Sequence, residues 1–421
     1  MQISKHILNR RSFTAQLGAA VAIPTVSLGQ PRTLPFYASV GANLILYDLD
    51  TTALTLSARS SVKLPSNVQY AWPDPARRFL YVVASNTKPG GLDPDAGGHC
   101  AQVYQVGAYG ALTPHGPVVA LRYRPIHATV DQSGRFLLVA YNVPSTVTVH
   151  RINPDASIGV EVIQQQKLDT GFYAHQIRVT PSGKTVVLVT RGNDPSPGRP
   201  EDPGAIKVFR FQDGQLFNLQ SLAPHKDGYG FGPRHLDFGE RFTFVSLERE
   251  NSICIYALTT DGTLSAEPLF LKSALLDPDA KAKHIGQASG PIHVHPNGRF
   301  VYQTNRGSGT QDYNGEKVWN GGENNIVVWG INPVTGEPDR IQNIDSHGFE
   351  IRTFTIDPSG SVLIAASQLA LLVRDGDRIS DVSAGLSVYR IGVDGKLTFV
   401  RKHDVDTTAG TQFWCGLPTM V

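Results

Sequence analysis

Seven ionisable residues stand at equivalent points of consecutive predicted β-strands. Four begin a strand and three end the strand that follows; they are His127, His175, Arg234 and Arg352, and Arg191, Glu248 and Arg306. Histidine exchanges a proton near neutral pH, and a guanidinium group holds a carboxylate or a developing oxyanion through forked hydrogen bonds. A carboxylate between two arginines stays ionised and orients them. This set is suited to acid–base chemistry on a substrate that carries or develops negative charge.

The strands that carry these residues belong to a repeated unit. Each copy has an apolar strand, a tight turn with Asp or Pro, Gly and Arg, and a second apolar strand. The turns fall at residues 73–79, 131–136, 181–184, 238–242, 295–300 and 357–361. A third and a fourth short strand follow each pair. Four short strands per repeat at this period predict a β-propeller.

Six turns predict six complete blades, and a seventh blade is divided between the two ends of the chain. Residues 36–48 and 54–58 supply its later strands, and residues 411–417 supply its first strand. Closing the ring in this way removes an exposed sheet edge. The expected fold is therefore all-β: a single seven-bladed propeller domain over residues 30–421, with four antiparallel strands per blade. Two separate β-sandwiches are the alternative, which the even spacing without a linker disfavours.

Strand direction decides where the ionisable residues meet. Strands alternate in direction outward from the axis, so first strands start on the face where second strands end. The seven residues should therefore line one funnel, with long insertions crowding the same face at residues 86–101, 192–204, 307–325 and 368–385. The third insertion, with Tyr313 and Trp319, is either a substrate lid or a loop whose aromatic residues pack on the rim.

Six of the seven residues also have a structural interpretation. These alternatives are a bond from His127 to a neighbouring carbonyl, pairing of Arg191 with Glu201 or Asp202, pairing of Arg352 with Glu350, and an ion-pair network of Arg234, Glu248 and Arg306 that fastens blades together. Charges on inner strands are costly unless they are paired or functional.

Residues 1–29 have the layout of an export signal. Arg10 and Arg11 precede a mildly apolar stretch, residues 17–26, and the small residues Ser27 and Gly29 suit a signal peptidase. The arginine pair followed by Ser-Phe resembles the twin-arginine type, which exports folded proteins; an amphipathic helix is the alternative. We expect a periplasmic or secreted protein that meets the twin-arginine translocase during export and no membrane afterwards.

Composition excludes several classes of protein. The chain has 38 Lys and Arg against 36 Asp and Glu, and removing the three basic residues of the signal changes the net charge from +2 to about −1. That balance does not suggest a nucleic-acid partner. Three distant cysteines form neither a disulfide framework nor a zinc motif. The absence of a Gly-x-Ser-x-Gly motif disfavours a serine hydrolase.

Four motifs resemble those of a known family. Gly232-Pro233-Arg234-His235 with the later Glu248 is similar to a G-P-R-H…N-E signature, and residues 298–307 resemble G-R-F-L-Y-x-x-N-R-G. Residues 133–140 and 352–354 are similar to two further motifs. The chain thus resembles the seven-bladed propeller lactonases, which include bacterial 6-phosphogluconolactonase and fungal carboxy-cis,cis-muconate cyclase. The motifs are specific for the family rather than for a substrate.

The resemblance implies lactone chemistry without a metal or another cofactor. The family's active-site histidine matches His175, although Tyr173 replaces the first histidine of its H-x-H, and the other motif positions fall on Arg234, Glu248 and Arg306. These four residues form the expected catalytic set. The residues expected to contact substrate are His127, Arg191, His235 and Arg352. Two family motifs differ at the mouth, at residues 190–192 and 140–142, which leaves the substrate open.

The expected function is metal-independent hydrolysis of a sugar-acid or carboxylated lactone by a monomer. His175 would act as general base or acid, Arg234 and Arg306 would hold a carboxylate or the oxyanion, and Glu248 would orient an arginine. Two alternatives stay open: a cycloisomerase of a muconate-type diacid, and a non-catalytic propeller that binds an anionic ligand.

Overall fold

The short extended segments pair into antiparallel four-stranded sheets that form the blades of a propeller. The computed structural model describes residues 33–87, 97–224 and 226–417, and these contain seven such blades. The innermost strands of successive blades contact one another around a central axis. The predicted all-β propeller is confirmed.

The first four blades follow chain order, and from blade 2 onward each blade begins with its innermost strand. Blade 1 contains β1 (Thr33–Val40), β2 (Asn43–Asp50) and β3 (Thr55–Lys63), and blade 2 contains β4 (Val68–Pro73), β5 (Phe79–Ala84), β6 (Cys100–Val106) and β7 (Leu112–Ala120). Blade 3 contains β8 (Pro125–Val130), β9 (Phe136–Tyr141), β10 (Thr146–Ile152) and β11 (Ile158–Glu161). Blade 4 contains β12 (Ala174–Val179), β13 (Thr185–Thr190), β14 (Ala205–Gln212) and β15 (Gln215–Leu222).

The last three blades include two inserted hairpins. Blade 5 contains β16 (Pro233–Phe238), β17 (Phe242–Leu247), β18 (Ser252–Ala257) and β19 (Phe270–Ser273), and the one-turn helix α1 (Ala280–Lys283) follows it. Blade 6 contains β20 (Gln287–Val294), β21 (Phe300–Gly307), β24 (Asn325–Ile331) and β25 (Pro338–Asp345), with the inserted hairpin β22 (Thr310–Tyr313) and β23 (Glu316–Trp319) after β21. Blade 7 contains β26 (Phe349–Ile356), β27 (Val362–Leu369), β30 (Gly385–Ile391) and β31 (Leu397–Asp404), with the inserted hairpin β28 (Leu371–Asp375) and β29 (Arg378–Val382) after β27. Two 3-10 turns lie at Ala108–Gly110 and Lys226–Gly228.

The C-terminal strand closes the ring. The two-residue strand β32 (Cys415–Gly416) pairs with Tyr37 and Ala38 of β1 and becomes the innermost strand of blade 1. The Ser39 amide donates to the Trp414 carbonyl at 2.8 Å, and the Trp414 amide donates to the Ser39 hydroxyl at 3.0 Å. The predicted closure by both ends of the chain is confirmed.

The repeated turns have a common chemical cause. One carboxylate oxygen of Asp131 accepts hydrogen bonds from the amides of Arg135 and Phe136, each at 2.7 Å, and Gly134 has a φ of 70°. Asp357 accepts from the amides of Ser361 and Val362 in the same way. Each of these turns therefore uses an aspartate side chain and a residue that tolerates positive φ. The turns end the inner strands on one common face of the propeller.

Apolar faces of neighbouring blades form the core. Between blades 3 and 4, for example, Phe136 and Leu138 pack in one cluster with Val186 and Leu188. A side chain of this size contributes roughly 1.5–3 kcal/mol when it is fully buried. Neighbouring blades thus cover the faces of the inner and second strands. The ends of these strands remain available to line a site.

The inner strands of blades 2 to 7 each contain a β-bulge near the start of the strand. The residue without a partner is Gln69, Ile126, His175, Arg234 or Arg352 in five of them, and Gly290 with Pro291 opposes Thr304 in the sixth. A bulge bends its strand and redirects the side chain of the extra residue. Three of the predicted site residues are therefore bulge residues.

Two of the predicted insertions join into a sheet of their own. The hairpin of blade 6 and the hairpin of blade 7 pair in parallel at Val318 and Leu372. Trp319 donates from Nε1 to the Gly307 carbonyl at 2.9 Å, and its ring lies 5.2 Å from that of Phe349. These contacts hold the insertion on the rim, which favours rim packing over a lid.

The predicted export signal, residues 1–29, lies outside the described residues. The chain from Thr33 onward forms one compact unit. Among the described residues, no helix is long and apolar enough to cross a membrane.

Candidate functional site

A cavity of about 730 Å³ opens on the face where inner strands begin and second strands end. The predicted site residues that line it are His175, Arg191, Arg234, Glu248, Arg306 and Arg352. They come from blades 4, 5, 6 and 7, so the ring brings together residues that lie up to 177 positions apart (Arg352 minus His175). His127 and His235 do not line the cavity.

The bulges explain why two predicted histidines lie elsewhere. His175, Arg234 and Arg352 are bulge residues, whereas His127 and His235 are the residues immediately after a bulge. Successive strand residues point in opposite directions. His127 packs instead on the ring of Tyr70, with the ring centroids 3.9 Å apart, and His235 lies behind His175 at 5.0 Å.

Glu248 is the centre of the charge network. Its carboxylate lies 2.8 Å from Nε of Arg234, 3.2 Å from Nε of Arg191 and 3.2 Å from Nη2 of Arg306. Burial alone would raise the pKa of Glu248, but the three guanidinium groups lower the pKa to about 2. Glu248 is therefore an ionised anchor for the arginines at neutral pH.

Further carboxylates complete the network. Glu350 pairs with Arg306, and Asp194 lies 2.7 Å from Arg191 and 2.8 Å from Arg249. Arg191 thus pairs with Asp194 and Glu248, so its expected alternative pairing with Glu201 or Asp202 is wrong. The alternative pairing of Arg352 with Glu350 is also wrong, because Glu350 faces Arg306.

His175 is a buried imidazole at the wall of the cavity. Its side chain is 5% exposed, and its Nδ1 has no hydrogen-bond partner among the described residues. Burial lowers the pKa of His175 well below 6.5, and the nearby charges of Arg234 and His235 lower it further. The ring is therefore neutral at pH 7, and a neutral imidazole has one nitrogen that can accept a proton.

Several lining residues were not predicted from the sequence. Arg124 is 3% exposed, and Asn142, Tyr173, Arg249 and His284 also line the cavity. Arg124 stands directly before the inner strand β8. The other predicted residues also lie near the starts of inner strands, so the position of Arg124 in the repeat was the signal that could have identified it. Lys281 comes from α1, which the repeat pattern does not predict.

The described residues contain no group of three or more His, Cys, Asp or Glu side chains arranged to hold a metal ion. The cavity wall instead combines the neutral imidazole of His175, five arginines that are paired with carboxylates, and two arginines, Arg124 and Arg352, that have no carboxylate within ion-pair distance among the described residues. Such a wall can bind an acceptor-rich molecule and move a proton beside it.

A seven-bladed propeller with a cationic cavity at its axis defines the class of this protein. Residues 35–374 match the family described as "Lactonase, 7-bladed beta-propeller". The chain therefore belongs to that family.

Relatives of known name and solved structures agree with this assignment. The chain is 25% identical to a 6-phosphogluconolactonase of Bacillus subtilis over 349 residues, which cover 78% of this chain and 86% of the relative. It is 27% identical to a 6-phosphogluconolactonase of Pectobacterium carotovorum, with 74% and 81% covered. The periplasmic gluconolactonase of Pseudomonas aeruginosa superposes with a TM-score of 0.64 at 18% identity, covering 90% of this chain and 98% of that one. A Lactobacillus plantarum protein superposes equally well, at 19% identity with 90% and 98% covered. These superpositions show the fold.

Proposed function

We propose that this protein hydrolyses a sugar-acid or carboxylated lactone without a metal ion. One observation carries the proposal: a neutral imidazole, His175, lines the same cavity as Arg234, whose charge Glu248 pairs, in a chain of the lactonase family. A base and a cation beside one cavity are the two requirements for opening a lactone with water.

In this mechanism His175 takes a proton from water as the water oxygen attacks the lactone carbonyl carbon. The carbonyl π electrons move to the oxygen, where Arg234 and Arg306 stabilise the negative charge. The ring C–O bond then breaks, and His175 returns its proton to the departing alkoxide. The product is the open-chain hydroxy acid. The lowered pKa of His175 makes its protonated form a better donor in the last step.

Glu248 has a positioning role in this scheme. It contacts three arginines and is ionised, so it holds their guanidinium groups rather than exchanging protons itself. Of these, Arg234 is 1% exposed and its Nη1 has no hydrogen-bond partner among the described residues. Arg234 therefore keeps an N–H donor that no acceptor of the described residues occupies.

A panel of lactones, followed with a pH indicator and with or without chelator, tests the proposal. The His175→Ala variant should lose at least about 100-fold in kcat, which is the usual contribution of a general base. The matched control is His115→Ala, because His115 lies on the outer strand β7 of blade 2, away from the cavity. An unchanged rate in His175→Ala would remove this histidine from the mechanism.

The same assay separates the alternatives. Loss of conjugated absorbance from a muconate-type diacid, without lactone hydrolysis, would replace hydrolysis by cycloisomerisation. Binding of anions without turnover of any compound would identify a non-catalytic propeller.

We also infer export of the folded protein through the twin-arginine translocase to the periplasm or medium. The sequence of residues 1–29 supports this, with Arg10 and Arg11 before an apolar stretch. N-terminal sequencing of the exported chain should begin at Gln30, and Arg10→Lys with Arg11→Lys should leave the protein in the cytoplasm.

A further inference from the structure

The arginines that line the cavity fall into two groups. Arg191, Arg199, Arg234, Arg249 and Arg306 each lie within ion-pair distance of a carboxylate. Arg124 and Arg352 have no carboxylate within that distance in the part of the chain that the structure describes. A carboxylate therefore pairs directly with each arginine of the first group, whereas in the second group only Arg352 is stabilised by a carboxylate, the more distant Glu350.

The two arginines of the second group share one aromatic platform. The guanidinium carbon of Arg352 lies 4.0 Å from the centroid of Phe413, and that of Arg124 lies 5.8 Å from the same centroid. An aromatic face attracts a cation without accepting its N–H groups as a carboxylate would. The platform therefore holds both guanidinium groups and leaves N–H groups available for a ligand.

Arg124 is fixed in place with one nitrogen free. Its Nε donates to the Thr87 carbonyl at 3.1 Å, and its Nη2 donates to Oε1 of Gln69, the bulge residue of blade 2, at 2.5 Å. Nη1 is buried without a hydrogen-bond partner among the described residues, although Arg124 is only 3% exposed and lines the cavity. Nδ2 of Asn142, another lining residue, is also without a partner there.

Burial of these cations has an energetic consequence. Burial lowers the pKa of Arg124 to about 10, and burial together with Arg234, Arg306 and Arg124 lowers the pKa of Arg352. Both directions mean that the surroundings disfavour the charged form. A bound anion would offset this cost, because its charge and its acceptor oxygens compensate the desolvated guanidinium groups.

We propose that Arg124 and Arg352, held on Phe413, form an anion subsite that selects lactones carrying a carboxylate or a phosphate outside the lactone ring. The inference rests on the proposed lactonase function and assigns the selection of charged substrates to a pair separate from the Arg234–Glu248 centre. Arg352 acts here as a specificity residue, and Arg124, which lies outside the family motifs found in the sequence, acts with it.

Three substrates test the subsite: glucono-1,5-lactone, which is neutral; glucaro-1,4-lactone, which carries a carboxylate outside the lactone ring; and 6-phosphoglucono-1,5-lactone, which carries a phosphate. Arg124→Gln and Arg352→Gln should each lower kcat/KM for an anionic lactone about 10- to 100-fold, mainly through KM, since each removes charged hydrogen bonds. The loss for the neutral lactone should be smaller than the loss for an anionic lactone, because the neutral substrate has no anion outside the ring for the pair to bind. Comparing the glucaro- and phospho-lactones shows which anionic group the subsite prefers.

The matched control is Arg374→Gln. Arg374 also stacks on an aromatic ring, at 3.7 Å from the centroid of Tyr313, but lies outside the cavity. Arg124→Lys keeps the charge and guards against misfolding; it should retain part of the selectivity, because lysine lacks the guanidinium fork. Equal losses for neutral and anionic lactones in both Gln variants would overturn the subsite.

A binding measurement separates failure of the subsite from failure of the proposed function. Calorimetry with glucarate, 6-phosphogluconate and neutral glucose needs no turnover, and His175→Ala should bind the two anions as the unmodified protein does. If the unmodified protein hydrolyses no lactone but binds these anions, and Arg124→Gln and Arg352→Gln weaken that binding, the subsite holds while the lactonase function fails. Anion binding that is unchanged in both Gln variants overturns the subsite.

Discussion

At the residue scale, Glu248 determines how the arginines of the cavity are arranged. It is the one acidic group in contact with Arg191, Arg234 and Arg306 together among the described residues. Removing its charge would leave buried guanidinium groups uncompensated, which is far more costly than replacing a whole ion pair by apolar groups. The residue therefore links the stability of the inner strands to the geometry of the site.

Glu248→Gln should destabilise the protein at pH 7 by roughly 3–5 kcal/mol. The folded-state pKa of Glu248 is lowered from 4.5 to about 2, so its ionised form stabilises the fold above pH 4.5, and this contribution is lost as pH falls towards about 2. Urea unfolding at several pH values should show the variant and the original protein converging in acid. Glu240→Gln, at an exposed position, is the control. A difference that stays constant down to pH 2 would contradict the pairing.

The pH dependence of turnover should follow the protonation state of His175. A general base must be neutral, and the lowered pKa of His175 keeps it neutral below the ordinary value of 6.5. We expect kcat/KM to stay level as pH is lowered from 8 through 6.5 and to fall only at more acidic pH. A pH–rate profile on any lactone that is turned over measures this. An acidic limb centred at or above pH 6.5 would be incompatible with the buried imidazole.

At the element scale, the bulges at the starts of the inner strands decide which side chains reach the cavity. His175, Arg234 and Arg352 occupy the extra position of their strands, and the neighbouring His235 does not line the cavity. In blade 6 the bulge contains Gly290, which has no side chain, instead of a charged residue. A Cβ added at Gly290 would lie 2.1 Å from Oγ1 of Thr304 and 3.0 Å from Cδ of Arg306. The missing side chain makes room for the stem of an arginine from the next strand.

Gly290→Ala should therefore displace Arg306 and cost roughly 1–3 kcal/mol of stability through overpacking. Turnover should fall further than stability alone explains, because Arg306 contacts Glu248 and Glu350. The measurement is kcat together with thermal unfolding. Gly107→Ala is the control, since an added Cβ there would meet only a carbonyl oxygen at 3.4 Å. Normal turnover in Gly290→Ala would show that the arginine stem adjusts without moving its head group.

At the scale of the whole molecule, the last residues of the chain serve both the ring and the cavity. Strand β32 covers the inner edge of β1, and Phe413 two residues earlier supports Arg124 and Arg352. Trp414 packs in the apolar cluster of blades 1 and 2. Closing the propeller and completing the proposed anion subsite thus depend on one short segment.

Deleting residues 412–421 should destabilise the propeller and expose the edge of β1 to pairing with other chains. We expect a lower melting temperature and aggregates in size-exclusion chromatography, whereas the full chain should elute as a monomer. Deleting residues 418–421 alone leaves β32 in place and serves as the control. A monomeric, equally stable product of the longer deletion would show that β32 is dispensable for closure.

The sequence by itself determined the number of blades, the closure of the ring and the face on which the charged residues gather. These follow from local patterns: Asp131 and Gly134 specify a turn, alternating apolar residues specify strands, and strand direction then assigns faces. Such signals need only neighbouring residues, so they can be recognised along the chain.

Only the tertiary structure decided which side chains share a wall and which charges are balanced. The bulges place His175 at the cavity and His235 behind it, and the ring brings Glu350 to Arg306 instead of Arg352. Arg124 and Phe413 lie 289 positions apart (413 minus 124) and meet because the C-terminal segment returns to the ring, where Phe413 packs in one cluster with Ile126 of blade 3. Contacts between distant segments depend on register and on blade packing, which residue types and spacing do not encode locally.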